Sequence, residues 1–409
     1  MTQTHSYPKH KIKVLLLEGV HSSAKESFEH EGFDVELLAT SLDEDELCKR
    51  IKGVSIIGIR SKTNITKRVL EHADRLMAIG AFCIGTNQID LSEATKRGVA
   101  VFNAPYSNTR SVVELAIAEI VMLMRNLPDK VRDMHMGVWN KSATNSFEIR
   151  GKNLGIIGYG NIGSQLSVVA EAMGLQVFYY DLEEKLALGN ATPCKSLKEL
   201  LNISDIISIH VDGRKENTNM ISEKEFKQMK EGVIFINLGR GHVVDIDALK
   251  THIDNGKVRG TAIDVYPKEP KSNSEPFESK LKGSPNTILT PHIGGSTLEA
   301  QINIGVFVPN NLLKFINTGN TAGSVNFPQL QLPVLENGHR LIHVHRNTPG
   351  LLAKLNSILA DKEINILGQY LKTNETIGYV ITDIDKKYPS NLIQKMKEIE
   401  GTIRMRVLF

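Results

Sequence analysis

"NLGIIGYGNIGSQLSVVAEAMGLQVFYYD", residues 153–181, combines an apolar run, a glycine-rich turn, a stretch of helical period and a second apolar run ending in an acid. Gly158, Gly160 and Gly163 satisfy G-x-G-x-x-G, a weak signal alone in a chain of 32 glycines. Here it has the required context, after a strand and at the start of a helix. One glycine permits the tight turn, and another lets backbone approach a pyrophosphate. The helix N-terminus offers free N–H groups to the anion, supplied here by Asn161 and Ile162. Asp181 follows Gly163 by 18 residues, where a carboxylate can accept from both adenosine ribose hydroxyls and would repel a 2′-phosphate. The stretch therefore predicts a dinucleotide-binding βαβ unit that prefers NAD to NADP. The competing reading is a structural glycine turn followed by a surface aspartate.

Outward from this unit, strand-like runs alternate with helical stretches on both sides. "DIISIHV", "VIFINLG", "VRGTAIDVY" and "NTILTPHIGG" continue it toward five or six strands of a doubly wound parallel sheet. Upstream, "KIKVLLLEGV", "VSIIGIR", "RLMAIGAF" and "VAVFNAP" predict a second parallel α/β unit, joined to the first by one long helix from about Ser111 to Met136. A further helix, Thr297 to Asn317, is long enough to return the chain to the N-terminal unit. The segment "NTGNTAGSVNFPQLQLPVLENG" then reads as a linker. The last seventy residues order as strand, helix, strand, strand, helix, strand, the βαββαβ ferredoxin-like arrangement. The domain expectation is 1–108 with 298–330, then 109–297, then 338–409. The first ten residues read as a loose polar tail.

With 409 residues the chain exceeds one ordinary core. Basic and acidic residues number 49 and 46, with no long basic block, so a nucleic-acid partner is not expected. No apolar run approaches the roughly 20 residues of a bilayer span, and the N-terminus lacks a signal-peptide pattern, which points to the cytoplasm and away from membranes. Cys48, Cys83 and Cys194 are scattered, arguing against a disulfide framework and a zinc site; no metal is expected.

Three later strand ends each deliver a functional side chain: Arg240 in "FINLGRGHVVD", Asp264 and Glu269 in "AIDVYPKEP", His292 in "LTPHIGGS". Ligands of open α/β sheets lie beyond the carboxyl ends of strands, so these residues converge on the cofactor edge. Oxidising a secondary alcohol needs a base for the hydroxyl proton, and His292 suits it. Glu269 would fix the imidazole tautomer and raise its pKa, and Arg240 would clamp a substrate carboxylate. Asp264 is expected on the carboxamide side of nicotinamide, directly or by fixing local backbone. Singly, each has a bland alternative: a surface arginine, an exposed glutamate between prolines, a turn-capping histidine.

"GIIGYGNIG", "NLGRGHVVD", "AIDVYPKEP" and "LTPHIGGST" together resemble the D-isomer-specific 2-hydroxyacid dehydrogenases. From about residue 11 onward the chain is similar to the branch of that family that ends in an ACT domain and acts on 3-phosphoglycerate. The resemblance implies a catalytic trio of Arg240, Glu269 and His292. It implies NAD contacts at Asn161, Ile162, Asp181, Leu238, Gly239, Arg240, Asp264, His292, Ile293, Gly294 and Gly295. "GIRSKTNIT" and "NAPYSNTRSVVE" resemble substrate-domain loops, which brings Arg60, Lys62 and Asn108 to the substrate's phosphate or carboxylate. Lys62 stands where relatives often have Arg, keeping the charge without the bidentate fork. "GVWNKSAT", with Trp139 and Lys141, resembles a stretch through which nucleotide-binding domains pair, so that Lys141 would reach a partner's active site.

The implied reaction is NAD-dependent oxidation of 3-phosphoglycerate to 3-phosphohydroxypyruvate, the first step of L-serine synthesis; some relatives also reduce 2-oxoglutarate. In "IHVHRNTPG" and "EINILGQ", His345, Asn347 and Asn365 match the amino-acid site of ACT domains, which implies L-serine as an inhibitory effector. Their alternative is a solvated sheet face with a capped helix. By resemblance the assembly is a homotetramer. Two other functions remain open: oxidation of an unphosphorylated 2-hydroxyacid, and an NAD-sensing binding protein without turnover.

Overall fold

Aliphatic and β-branched runs too short for helices, separated by helical stretches, build two parallel sheets in the computed structural model, which describes residues 7–270, 274–335, 338–385, 388–389 and 391–408. Contacts divide the chain into two units, one of residues up to Ser107 together with those from Gln301, the other Asn108–Ala300. No described helix is long and apolar enough to cross a membrane.

In the first unit, β1 (Lys13–Leu16), β2 (Asp34–Leu37), β3 (Ile56–Ile59), β4 (Ala78–Ala81) and β5 (Ala100–Phe102) form a parallel sheet in the order β2-β1-β3-β4-β5. β3 and β4 are buried on both faces, as their unbroken apolar runs require. The expected loose tail includes a short 3-10 turn, Lys9–Lys11; residues 1–6 lie outside the described residues.

The second unit carries seven parallel strands: β6 (Asn153–Ile157), β7 (Gln176–Tyr180), β8 (Thr192–Pro193), β9 (Ile206–Ile209), β10 (Val233–Asn237), β11 (Val258–Ile263) and β12 (Thr287–Leu289). Their order, β12-β11-β10-β9-β6-β7-β8, reverses direction between β6 and β9, the switch point at which doubly wound sheets bind ligands. The expected helix from Ser111 to Met136 is two helices, Thr109–Met124 and Leu127–His135. Asn126 takes a left-handed φ of 53°, and Pro128, lacking an N–H, cannot continue the first helix.

The C-terminal strands β13 (His339–Arg346), β14 (Ile366–Thr373), β15 (Ile377–Ile384) and β16 (Thr402–Leu408) form an antiparallel sheet, β14-β15-β13-β16, the ferredoxin-like order. One face shares an apolar core with the helix Leu298–Thr318: Ile342, Val344, Tyr379 and Ile381 join Val308, Leu312 and Phe315. Tyr379 donates to the Gly319 carbonyl at 2.7 Å. The Arg406 guanidinium sits over Phe315, 4.9 Å from the ring centroid, and donates to the Ile316 carbonyl at 2.9 Å, a cation placed on the last turn of a helix. The Gly/Asn/Pro-rich segment expected as a linker is docked rather than loose. Asn326 accepts from the Val101 N–H at 2.8 Å and donates to the Val99 carbonyl at 2.9 Å, and Ser324 bridges to Phe102.

Arg340 and Asp383 form a buried bidentate pair, both bonds 2.8 Å, while the guanidinium also donates to the Thr318 and Pro333 carbonyls. Removing one partner strands the other charge, so Asp383→Ala should lower stability by roughly 3 to 5 kcal/mol in urea unfolding. Another buried carboxylate, Glu119, faces the core of the second unit with neither oxygen hydrogen-bonded. Burial first, then the charge of Asp264, pushes its pKa up to about 8. The folded chain therefore holds this proton where the unfolded chain releases it. The proton's contribution is fully present below about pH 4.5 and is lost as pH rises through about 8, by at most about 1.4 kcal/mol per pH unit. Glu119→Gln keeps the shape without the proton, so its melting temperature relative to the parent should rise from pH 5 to pH 8.

Candidate active site

The glycine loop follows from close packing. A Cβ on Gly163 would lie 2.2 Å from the Gly158 carbonyl oxygen, and Gly158 has φ of 90°, so both positions require glycine. Gly160 is different: a Cβ there would meet nothing within 4 Å. It is also the N-cap of the helix Asn161–Ala172, and no side chain caps that terminus. Free N–H groups thus face open space, which fits a pyrophosphate. Asp181 accepts from the Tyr159 N–H at 2.7 Å through Oδ2 and from the Glu183 N–H at 3.0 Å through Oδ1. Each oxygen keeps a lone pair that a ribose hydroxyl can use. The glycine loop and Asp181 therefore lie together at the carboxyl ends of β6 and β7, and their chemistry fits NAD.

Beyond β10, Leu238 and Gly239 are buried and Arg240 is half-buried. Asn237 shapes this turn, accepting from the Gly239 N–H at 3.0 Å and donating to the Arg240 carbonyl at 3.1 Å. The Arg240 guanidinium packs against Gly213 and donates to the Gly239 carbonyl at 2.7 Å. After β11, Asp264 is buried and its carboxylate collects three donors: Thr290 Oγ1 at 2.6 Å, the Ile293 N–H at 2.8 Å and the Gly294 N–H at 2.8 Å. These bonds bracket His292, which has a left-handed φ of 56°, strained for a non-glycine residue and held there from both sides. Of the two roles expected for Asp264, the backbone-fixing one is what its contacts display. Asn108 packs against Gly295 of the same loop, its Nδ2 2.0 Å from where a Cβ would stand.

The imidazole Nδ1 of His292 lies 2.9 Å and 3.1 Å from the two carboxylate oxygens of Glu269. Glu269 is aimed by the Tyr266 N–H, 3.1 Å from Oε1, and the Tyr266 hydroxyl reaches the Ile263 and Thr290 carbonyls. The hydrogen bond that His292 donates to Glu269 raises the His292 pKa above its ordinary value, although burial opposes it. Burial pushes Glu269 upward, but its bond and charge pairing with His292, aided by Tyr266 and Arg240, leave it below the usual carboxylate range. His292 Nε2 is left for another partner, and the arrangement can hold a proton on a tethered imidazole beside a guanidinium.

The remaining expected residues fall elsewhere. In the first unit, Glu18 folds the loop after β3, accepting from the N–H groups of Arg60 at 3.1 Å, Lys62 at 2.9 Å and Thr63 at 2.8 Å. Arg60 and Lys62 are thereby displayed on a fixed turn. Lys141 is exposed and lines a shallow cavity of about 210 Å³ with Lys130, Asp133, Met134, Val138 and Trp139, which contains no member of the Arg240, Glu269 and His292 group. In the C-terminal sheet His345 is buried, with Nδ1 2.8 Å from the Arg346 carbonyl oxygen and Nε2 unpartnered; its ring fills the space that Gly378 leaves open. It stacks on His343, whose pKa burial, and then the charge of His345, lower to about 4. Asn347 donates to the Asn374 carbonyl at 2.8 Å, and Asn365 is exposed before β14. Sequence reasoning missed Glu18, Asn237 and Tyr266. The position of Asn237 two residues before Gly239 was a readable turn signal, whereas Glu18 acts across more than forty residues and left none.

Residues 117–294 match the family model described as "D-isomer specific 2-hydroxyacid dehydrogenase, NAD binding domain". Residues 341–404 match an "AHAS small subunit-like ACT domain". A D-3-phosphoglycerate dehydrogenase of Haemophilus influenzae is 52% identical over 100% of both chains. One from Escherichia coli K12 is 50% identical over 99% of both. Among solved structures, a D-lactate dehydrogenase of Aquifex aeolicus complexed with NAD and lactic acid is 28% identical with a TM-score of 0.66, covering 77% of this chain and 100% of its own. The glycine loop, the Asp181 carboxylate and the Glu269–His292 pair thus sit in a chain that belongs to the NAD-dependent D-isomer specific 2-hydroxyacid dehydrogenases, and within them to the D-3-phosphoglycerate dehydrogenase family.

Proposed function

We propose that the chain oxidises 3-phosphoglycerate to 3-phosphohydroxypyruvate in the cytoplasm, and that L-serine inhibits it. The observation that carries the catalytic part is the bidentate approach of Glu269 to His292 Nδ1, at 2.9 and 3.1 Å, on a loop that Asp264 holds in place. Bound NAD supplies the carbon that accepts the hydride. Neutral His292 accepts the substrate's hydroxyl proton at Nε2 while Nδ1–H donates to Glu269. The fixed carboxylate then stabilises the imidazolium that forms. Arg240 grips the substrate carboxylate with its planar fork and polarises the oxygen that becomes the carbonyl. Arg60 and Lys62 are assigned to the phosphate and Asn108 to the same substrate; Leu238, Gly239, Ile293, Gly294 and Gly295 are assigned to the cofactor with the glycine loop.

The assembly we propose is a homotetramer. Support comes from an exposed apolar strip, Met134, Val138 and Trp139, the last 78% exposed, beside Lys141 in the stretch assigned to pairing of nucleotide-binding domains. The effector site is assigned to His345, Asn347 and Asn365, whose imidazole and amide groups suit the polar ends of serine. Inhibition requires that serine bind the less active arrangement more tightly.

A substrate panel tests the reaction: NADH should form with 3-phosphoglycerate when an aminotransferase drains the product, and not with D-lactate or D-glycerate. His292→Ala should lower kcat by at least about a hundredfold while NAD binding persists. Turnover confined to an unphosphorylated acid would overturn the substrate. For regulation, His345→Ala should weaken serine inhibition about tenfold or more without changing uninhibited turnover. Undiminished serine sensitivity would remove His345 from the effector site.

A further inference from the structure

A cavity of about 530 Å³ lies within the first unit, its lining including Lys96 and Arg97 from the β3–β5 region and Arg346, Glu400 and Arg404 from the C-terminal region. Its wall carries four cations and one carboxylate. Arg97 is already neutralised, with Glu93 at 2.7 Å and Glu71 at 3.8 Å. Lys96 and Arg346 make no ion pair among the described residues, and both are exposed to solvent in the cavity wall. Arg404 reaches inward to donate to the Leu76 carbonyl at 2.5 Å. Burial, and secondly the charge of Arg406, lower its pKa to about 10, so it keeps its charge at neutral pH beside a second cation. Arg406 is likewise satisfied by helix carbonyls and an aromatic face. By contrast, Arg340 in the same sheet has Asp383 as its counter-ion. Positive charge in this region therefore exceeds its protein counter-charge, and for Arg404 and Arg406, which are shielded from bulk water, that is unfavourable unless an anion offsets it.

We propose that this cavity binds a phosphate group, carried by inorganic phosphate or a small phosphate monoester, held by Lys96 and Arg346 with Arg404 behind it. A phosphate dianion presents three or more acceptor oxygens in a tetrahedral spread, which suits cations arriving from separate elements; a carboxylate offers two oxygens in one plane. The Arg346 fork reads two of those oxygens, and Lys96 adds a compact charge. Because Lys96 comes from one sheet's helices and Arg346 and Arg404 from the other sheet, a bound phosphate crosslinks the C-terminal sheet to the N-terminal one within the unit. None of the three residues belongs to the proposed active site.

Calorimetric titration of the full chain with sodium phosphate, and separately with glycerol 2-phosphate, tests this against Lys96→Glu/Arg346→Glu. The parent should bind one more phosphate per chain than the double variant, with kcat and KM for 3-phosphoglycerate unchanged. Lys96→Gln/Arg346→Gln, which spares the fold from charge reversal, should still weaken that site by at least about tenfold. Loss confined to glycerol 2-phosphate assigns the cavity to esters, and loss confined to inorganic phosphate assigns it to the free ion. The same stoichiometry and affinity in parent and both variants, or an equal heat from sodium chloride at matched ionic strength, would overturn the proposal.

Discussion

The His292 loop of the candidate active site depends on the hydrogen bonds that Asp264 accepts. A buried carboxylate needs donors, and the donors that Asp264 finds are a threonine hydroxyl and two consecutive backbone N–H groups of the loop that follows β12. Those three bonds fix the peptide on the C-terminal side of His292 and the residue two before it. A histidine with φ of 56° is a poor resident of an unconstrained loop, and it persists here because its neighbours leave no alternative. The imidazole then has one direction to point, toward Glu269, whose own position comes from the backbone of Tyr266. Orientation of the His292 imidazole is thus set by backbone that Asp264 holds.

The nearby Glu119 sharpens this dependence. Two carboxylates lie buried in this core, Asp264 with three donors and Glu119 with none, and burial together with the charge of Asp264 pushes the pKa of Glu119 up to about 8. The core of the second unit thus gives its donors to Asp264, where the loop needs an acceptor.

Much of this was legible in order along the chain. The strands of both parallel sheets appear as aliphatic runs, the glycine loop as a spaced motif with an acid at the right interval, and the three strand-end residues as polar intrusions after buried segments. The C-terminal βαββαβ order was equally plain. Less legible were features set by partners remote in sequence: Glu18 folding the Arg60 loop, Asn326 threading onto β5, and Tyr266 tying β11 to β12. The break at Asn126 is a different case. Pro128 was visible in the sequence, but the apolar period on either side of it continues, and period alone does not register a lost N–H. β8 escaped because two residues pairing with β7 leave no periodic signal.

Asp181 carries one more implication. Its Oδ2 accepts the Tyr159 N–H within the glycine turn, so the carboxylate that we assign to the adenosine ribose also staples the turn on which the pyrophosphate would rest. On that assignment, coenzyme preference and loop architecture meet in one side chain. A redesign toward NADP that simply exchanged Asp181 for a neutral or basic residue would unpin Tyr159 as it removed the repulsion. Switching the coenzyme in this scaffold is a two-site engineering problem, in which a new acceptor for that amide must be supplied together with the new specificity.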